Sequence, residues 1–269
     1  MTVAAEQLER GAALLRGGGV VGFTGAGISA ESGIPTFRDP GGVWDRFDPG
    51  EFGTWEGIMH LAMTRPDALA EFLAELRRVF ALARPGPAHA ALASLDRAGL
   101  VDGVITQNVD GLHQEAGSAR VVEIHGSFRR TRCLSCGRQG EVSRERFLGD
   151  LDRAITGLRT AFVPSLASLL PRCPHCGGPA RPDFVAFGEA VHHMDQAESL
   201  ARAARVLLVV GTSGEVFPAA GLPGVARSAG ATILEVAPGP TFIDADVRLE
   251  GQAGEVLPRL AEDVIRGLR

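Results

Sequence analysis

The apolar residues of this chain form two recurring patterns, short unbroken runs and longer segments with helical spacing. The unbroken runs predict buried strands over residues 20–23, 101–106, 121–124, 206–210 and 231–236. The helical spacing predicts helices over residues 3–16, 67–83, 88–98, 194–204, 219–228 and 255–268. Because strands and helices alternate and the strands have no polar face, the pattern predicts an α/β fold with a doubly wound, Rossmann-like parallel sheet.

The alternation stops at about residue 129, where arginines, paired cysteines and turn residues replace it up to about residue 183. Cys133 and Cys136 form one Cys-x-x-Cys pair, and Cys173 and Cys176 form another. Two such pairs supply four thiolates, which fill a tetrahedral zinc site and leave no position for water. A structural zinc is therefore expected here, with two redox-active cysteine pairs as the alternative.

These differences in sequence pattern divide the chain into three predicted regions. Residues 1–38, 84–128 and 186–269 are expected to form the Rossmann-like domain, residues 39–83 a helical insertion, and residues 129–185 an inserted zinc-ribbon module. Cysteines paired for a metal, without a secretion signal, favour a reducing compartment, so a cytoplasmic location is expected.

A turn rich in small residues follows the first predicted strand. Its small residues are Gly25, Ala26, Gly27, Ser29 and Ala30. Such a turn leaves N–H groups free to bind a pyrophosphate at a helix start, although an ordinary strand-to-helix turn has the same composition. Pro35 ends that helix early, so the chain is expected to bring Thr36, Phe37 and Arg38 back over the site. This continuation favours a nucleotide at the turn.

Polar residues directly follow three of the predicted strands, in the segments 106–113, 125–127 and 211–213. The carboxyl ends of strands in an open α/β sheet share one crevice, so these segments are expected to converge with the glycine turn. His125 can take a proton from a sugar hydroxyl there, the alternative being a structural histidine bonded to a nearby turn. Asn108, the single asparagine of the chain, and Asp110 can bind a carboxamide.

Composition and charge narrow the classes of function. The formal net charge of −5 argues against a dedicated nucleic-acid binder. No apolar run reaches the roughly 18–20 residues that span a bilayer, so no membrane partner is expected. A length of 269 residues, 45% of them hydrophobic, suits one large domain with a small insertion.

The motifs follow one another in the order Gly25-Ala-Gly-Ile-Ser, Gly33-Ile-Pro-Thr-Phe-Arg38, Thr106-Gln-Asn-Val-Asp110, His125-Gly126, the two cysteine pairs, Arg181-Pro-Asp-Phe-Val-Ala-Phe-Gly-Glu189 and Gly211-Thr-Ser213. In this order they resemble the motifs of the sirtuins, which are NAD-dependent protein lysine deacylases. The resemblance covers residues from about 20 to 256, and segments 217–223 and 254–258 are most similar to bacterial members.

The resemblance implies transfer of an acyl group from lysine to ADP-ribose, with release of nicotinamide and 2′-O-acyl-ADP-ribose. The implied catalytic residues are His125, as general base, and Asn108. The implied NAD-binding residues are Gly25, Ala26, Gly27, Ser29, Ala30, Thr36, Phe37, Arg38, Trp44, Gln107, Asn108, Val109, Asp110, Gly211, Thr212, Ser213, Glu235, Val236, Ala237 and Ala253. The implied zinc ligands are Cys133, Cys136, Cys173 and Cys176, and the implied substrate-binding residues are Leu73, Leu76, Val185, Phe187, Gly188 and Glu189. Acyl-lysine proteins would bind as an added strand.

The chain departs from its bacterial relatives at two places. Relatives that remove acidic acyl groups carry a tyrosine and an arginine where this chain has Leu73 and Leu76. An apolar acyl tunnel is therefore expected, with Arg77 as a cation that a shift along the helix could bring to its rim. Glu235 stands where relatives carry asparagine, and we expect it to accept hydrogen bonds from the adenosine ribose.

Two other functions share these features. An ADP-ribosyltransferase or NAD glycohydrolase would use the same NAD site and release nicotinamide without an acylated peptide. A non-enzymatic zinc-ribbon module would only bind a partner, which the acidic balance and the polar strand ends disfavour.

Overall fold

The computed structural model describes residues 5–35, 43–160 and 169–268. They divide into two compact units, the first formed by Met1–Ser32, Arg84–Ile124 and Val191–Arg269, the second by Gly33–Ala83 and His125–Ala190. Within the described ranges, no helix has both the length and the apolar character needed to cross a bilayer.

The helices are α1 (Ala5–Arg16), α2 (Val43–Arg46), α3 (Pro49–Phe52), α4 (Trp55–Thr64), α5 (Pro66–Leu82), α6 (Pro87–Arg97), α7 (Leu112–Ala116), α8 (Arg144–Thr160), α9 (Met194–Ala203), α10 (Leu222–Ser228) and α11 (Ala253–Arg266). The strands are β1 (Val20–Thr24), β2 (Val101–Thr106), β3 (Val121–Glu123), β4 (Gly126–Cys133), β5 (Gln139–Glu141), β6 (Ala180–Phe184), β7 (Val206–Val210), β8 (Thr232–Ala237) and β9 (Val247–Glu250). Short 3₁₀ helices span Ala26–Ser32 and Ala219–Gly221.

The first unit contains a six-stranded sheet in the order β3-β2-β1-β7-β8-β9. Every neighbouring pair in it is parallel, so the predicted doubly wound sheet is confirmed. The chain winds outward in both directions from the β1–β7 pair. This pair is therefore the topological switch point, and ligands of such sheets bind beyond its carboxyl ends.

Helices cover both faces of this sheet. Leu207 and Leu208 are adjacent in β7, so their side chains point to opposite faces. Leu208 belongs to the core formed with α1, α6 and α11, whereas Leu207 belongs to the core formed with α9 and α10. Both cores bury nearly continuous apolar strand residues, as the sequence pattern predicts.

The second unit contains a small antiparallel sheet in the order β5-β4-β6, together with α2–α5 and α8. Helices α5 and α8 pack together, and Phe80 of α5 contacts Phe128 and Phe147 edge to face at centroid distances of 4.8 and 5.8 Å. The four cysteines lie in this unit. A small module with its own sheet and a four-cysteine cluster is thereby confirmed.

Candidate functional site

The glycine turn after β1 interlocks with the turn after β7. The Gly25 amide donates to the Val210 carbonyl at 3.0 Å, and the Gly27 amide donates to the Gly211 carbonyl at 2.8 Å. A Cβ on Gly27 would lie 2.7 Å from the Gly211 Cα, so no larger residue fits. The amides of Gly25 and Gly27 are therefore bound within the protein, contrary to the expectation that this turn leaves them free.

Ser29 is the centre of a network of hydrogen bonds between polar side chains at the same end of the sheet. Its hydroxyl donates to the Asp110 carboxylate at 2.8 Å and accepts from the Asn108 side-chain amide at 3.0 Å. The Asn108 amide also donates to the Gly25 carbonyl at 3.1 Å. The structure therefore brings together four predicted NAD-binding residues, from the glycine turn and from the segment after β2.

Asp110 is held at both carboxylate oxygens, since the Leu112 amide donates to the oxygen that Ser29 does not use, at 2.9 Å. Burial raises the pKa of the Asp110 carboxyl, and these two hydrogen bonds only partly offset it. A carboxylate fixed in this way presents a defined acceptor to a carboxamide.

Two buried histidines, His89 and His113, lie next to this hydrogen-bond network. His89 Nδ1 accepts from the Gly86 amide at 3.2 Å, so its proton sits on Nε2, which lies 3.4 Å from the Ser29 hydroxyl. His113 Nε2 lies 2.9 Å from the Thr24 hydroxyl, and the two imidazole rings meet at 4.9 Å. Burial lowers the pKa of His89 to about 4 and that of His113 to about 3, so both rings are neutral.

The hydroxyls of Thr24 and Thr106 link the ends of β1 and β2. Thr24 donates to Thr106 at 2.9 Å, and the Asn108 amide N–H donates to the same Thr106 oxygen at 3.1 Å. Because the Thr24 hydroxyl donates its one hydrogen bond to Thr106, its oxygen accepts from His113 Nε2. The backbone of Asn108 is thus fixed as firmly as its side chain.

The other predicted NAD-binding residues lie in several different elements. The Gln107 side-chain amide donates to the Thr212 hydroxyl at 2.8 Å, which joins the segment after β2 to the turn after β7. Val109 follows Asn108, Ser213 follows Thr212, Val236 and Ala237 end β8, and Ala253 begins α11. Ala26 and Ala30 lie in the 3₁₀ helix that follows Gly25. Thr36, Phe37, Arg38 and the side chain of Trp44 lie outside the described residues.

Glu235 differs from the expectation that it offers an open acceptor at a strand end. It is 1% exposed and lies inside β8, directly opposite Arg248 of β9. Its carboxylate lies 2.7 Å from Arg248 Nη2 and accepts a hydrogen bond from Thr241. Opposite charges on facing strand positions attract, so the structure uses this carboxylate internally.

In the second unit, His125 lies between β3 and β4, half-buried, and its carbonyl accepts from the Val185 amide at 2.8 Å. Val185 begins the segment that continues through Phe187 and Gly188 to Glu189. Phe187 is 48% exposed. His125 and the predicted substrate segment are therefore joined by a direct backbone contact.

Leu73 and Leu76 lie one helical turn apart on α5, and both are half-buried. Arg77 points into a bidentate contact with Asp152 of α8, with its Nε at 2.5 Å and its Nη2 at 3.1 Å from the two carboxylate oxygens. The cation that could have reached an acyl tunnel is therefore already paired.

The four cysteines form a cluster whose Sγ atoms all lie within 4.8 Å of one another. Cys133 and Cys176 are 3.5 Å apart, and Cys136 and Cys173 are 3.9 Å apart. A tetrahedral zinc with Zn–S bonds of about 2.3 Å requires sulfur–sulfur edges of roughly 3.8 Å, whereas a disulfide requires about 2.05 Å. These sulfur–sulfur distances, which run between the two Cys-x-x-Cys pairs, fit zinc and are too long for disulfides, and none of the four cysteines is in a disulfide.

The supporting contacts of His89, Thr24 and Thr106 are not apparent from the sequence. Each is fully buried or nearly so, and each contacts a predicted site residue or its partner. The Thr106 position was visible as part of a strand-end motif. His89 follows a proline break at a helix start, and nothing in the local pattern separates it from a structural histidine.

Comparison with known proteins agrees with this arrangement. The family model described as "Sir2 family" matches residues 25–218. NAD-dependent protein deacylase 2 of Pyrobaculum aerophilum is 49% identical over 252 residues, which cover 92% of this chain and 91% of the relative.

Two solved structures extend the comparison to ligands. A Sir2 homologue in complex with NAD superimposes with a TM-score of 0.78 at 36% identity, covering 97% of this chain and 95% of its own. A Sir2 protein bound to a myristoylated histone peptide has a TM-score of 0.73 at 34% identity, covering 99% of this chain and 100% of its own. The family match, the sequence identity and the coverage together show that this chain belongs to the Sir2 family.

Proposed function

We propose that the chain is an NAD-dependent protein lysine deacylase, which moves an acyl group from lysine to ADP-ribose. The observation that carries this proposal is the Asn108–Ser29–Asp110 chain at the switch point of a parallel sheet, in a member of the Sir2 family. NAD supplies an electrophilic ribose carbon with nicotinamide as its leaving group, and a ribose hydroxyl that accepts the acyl group.

We assign the nicotinamide carboxamide to Asn108 and Asp110. The support is that both side chains are fixed by hydrogen bonds: Asn108 to Gly25 and Ser29, Asp110 to Ser29 and Leu112. A site that holds its donors and acceptors rigidly before the ligand arrives loses little free energy on binding.

His125 is assigned as the general base toward the ribose hydroxyls. A neutral imidazole can accept a proton from a hydroxyl, and the half-exposed position after β3 keeps the ring accessible. The Val185 amide holds the His125 carbonyl, so the base and the substrate segment share one anchor.

The acyl-lysine protein is assigned to the segment from Val185 to Glu189, as an added strand. The amides of Val185, Ala186, Phe187 and Glu189 are already bound within the second unit. The incoming peptide would therefore contribute N–H donors to carbonyls of this segment rather than carbonyls to its amides. Leu73 and Leu76 favour acetyl and longer apolar acyl chains, since Arg77 is held by Asp152.

The chemistry of the cysteines and the net charge bear on location and partners. The four free thiols fit a reducing compartment, so the cytoplasm stays the expected location. The acidic net charge of −5 argues against a dedicated nucleic-acid site.

Nicotinamide release measured with NAD alone, with NAD and an acetylated peptide, and with NAD and the unmodified peptide separates the candidate functions. A deacylase releases nicotinamide only with the acetylated peptide, whereas a glycohydrolase releases it in all three mixtures. His125→Ala should lower the peptide-dependent rate by roughly 10²–10⁴-fold. His60→Ala, at an exposed histidine of α4, is the matched control and should leave the rate unchanged.

A further inference from the structure

Arg181 is a buried cation next to the predicted substrate segment. It lies in β6, and its side chain is 6% exposed. Its Nη2 donates to both carboxylate oxygens of Glu189, each at 2.8 Å. A buried guanidinium that lost this carboxylate would keep an uncompensated charge, so the pair is held together strongly.

Two aromatic rings fix the plane of the same guanidinium. Its central carbon lies 4.8 Å from the centroid of the Trp55 ring and 5.7 Å from that of Phe184. Stacking of a planar guanidinium on an aromatic face is available to arginine and not to lysine. Arg181 therefore joins α4, β6 and Glu189 at one point.

Glu189 in turn closes a tight turn. Its carboxylate accepts from the Ala186 amide at 2.9 Å, and its own amide donates to the Ala186 carbonyl at 3.0 Å. Gly188 has a φ of 87°, which is the value a type II turn requires at its third position. The turn places Phe187 and Gly188 at its exposed tip.

Gly53 makes a second contact that fixes the tip of the turn. The Phe187 amide donates to the Gly53 carbonyl at 2.9 Å. A Cβ on Gly53 would lie 2.6 Å from Phe187 Cδ2, so the phenyl ring rests directly on the glycine. Gly53 has a φ of −101°, which any residue adopts, so the close approach of Phe187 is one contact that disfavours a larger residue there.

We propose that Arg181 and Gly53 are positioning residues, which hold the segment from Val185 to Glu189 in the one shape that receives an acyl-lysine peptide. Arg181 fixes the turn through Glu189, and Gly53 fixes the aromatic tip. This inference rests on the proposed function, because it assumes that the segment binds the peptide. Neither residue touches the reacting groups.

The test compares Arg181→Lys, Glu189→Gln and Gly53→Ala with the wild type in steady-state deacetylation. Hydrogen bonds to charged groups contribute enough free energy to change an equilibrium constant about 10-fold. Arg181→Lys and Glu189→Gln should therefore each raise KM for the acetylated peptide by about 10-fold or more. We expect kcat and KM for NAD to stay within roughly threefold, because the NAD-binding groups are untouched. Arg181→Lys combined with Glu189→Gln should raise KM little beyond the single variants, since both break one interaction.

Gly53→Ala keeps the proposal testable if the charge variants fold poorly, because it adds one methyl group and removes no charge. It should also raise KM for the peptide, because the new Cβ would lie 2.6 Å from both Phe187 Cδ2 and the Pro49 carbonyl oxygen, so that Phe187 and the end of α3 must shift. Gly149→Ala on α8 is the matched control, since its new Cβ would meet only Arg153 Nη1, at an ordinary 3.7 Å.

A wild-type KM for the peptide in Gly53→Ala overturns the proposal, and so does an equal loss of NAD and peptide affinity in Arg181→Lys. Failure of the proposed function looks different: the wild type itself would then release no nicotinamide in response to the acetylated peptide.

Discussion

Acidification should destabilise the first unit through its two buried histidines. Burial lowers the pKa of His89 to about 4 and that of His113 to about 3, whereas histidine in an unfolded chain has a pKa near 6.5. The unfolded state therefore binds these protons first as the pH falls. Their contribution to stability is complete above about pH 6.5 and is lost progressively below it.

The size of the effect follows from the number of protons. Each histidine that is protonated only in the unfolded state changes the free energy of unfolding by about 1.4 kcal/mol per pH unit. Two such histidines give about 2.7 kcal/mol per unit once both are protonated in the unfolded state, a large share of a typical 5–15 kcal/mol. Asp110 acts in the opposite direction, because its pKa is raised in the folded state.

Urea unfolding at several pH values between 7.5 and 5.0 isolates the contribution of His113 when the wild type is compared with His113→Phe. The variant removes the titrating group and keeps an aromatic ring against His89. Below about pH 6.5, the free energy of unfolding of this variant should fall with pH less steeply than that of the wild type. The difference between the two slopes should be about 1.4 kcal/mol per pH unit. The free energy of unfolding of His60→Gln, which changes an exposed histidine, should depend on pH in the same way as that of the wild type. Parallel curves for His113→Phe would show that His113 is protonated in the folded protein and would refute the neutral network.

Two further predictions concern the second unit. The wild type should carry about one zinc per chain, and Cys173→Ser should lose the metal and lower the melting temperature, because binding of a structural zinc is coupled to folding; a metal-free protein with unchanged melting and activity would contradict this. Acetyl-lysine should be removed at least about 10-fold more efficiently than succinyl-lysine, because Leu73 and Leu76 leave a buried carboxylate unpaired. Leu76→Arg should shift that ratio toward succinyl, and faster removal of succinyl by the wild type would show that another cation faces the acyl chain.

The sequence predicts the large sheet well because its strands are buried on both faces and read as continuous apolar runs, as in residues 206–210. It also predicts the zinc ligands, since spacing alone brings two thiolates together in each pair. The strands of the small sheet escape prediction because they carry arginines where a core strand would carry apolar residues: Arg130 and Arg132 of β4 pair with the buried Asp183 instead.

The residues of the candidate site stand out in the sequence more clearly than their contacts do. Asn108, Asp110 and Ser29 stand in recognisable motifs, whereas the interlocking of the Gly27 and Gly211 turns depends on the sheet order. Glu235 shows the limit most clearly, because its partner Arg248 lies on another strand, and only the register of β8 and β9 brings the two together.

Transfer of the acyl group itself is the most direct test of the central claim. The wild type is incubated with NAD and a peptide whose lysine carries a deuterated acetyl group, and the products are quenched early and weighed by mass spectrometry. The account predicts that the deuterium appears in O-acetyl-ADP-ribose, in a one-to-one ratio with nicotinamide and with deacetylated peptide. Deuterium found only as free acetate at the earliest times, or nicotinamide released without any labelled ADP-ribose, would contradict it.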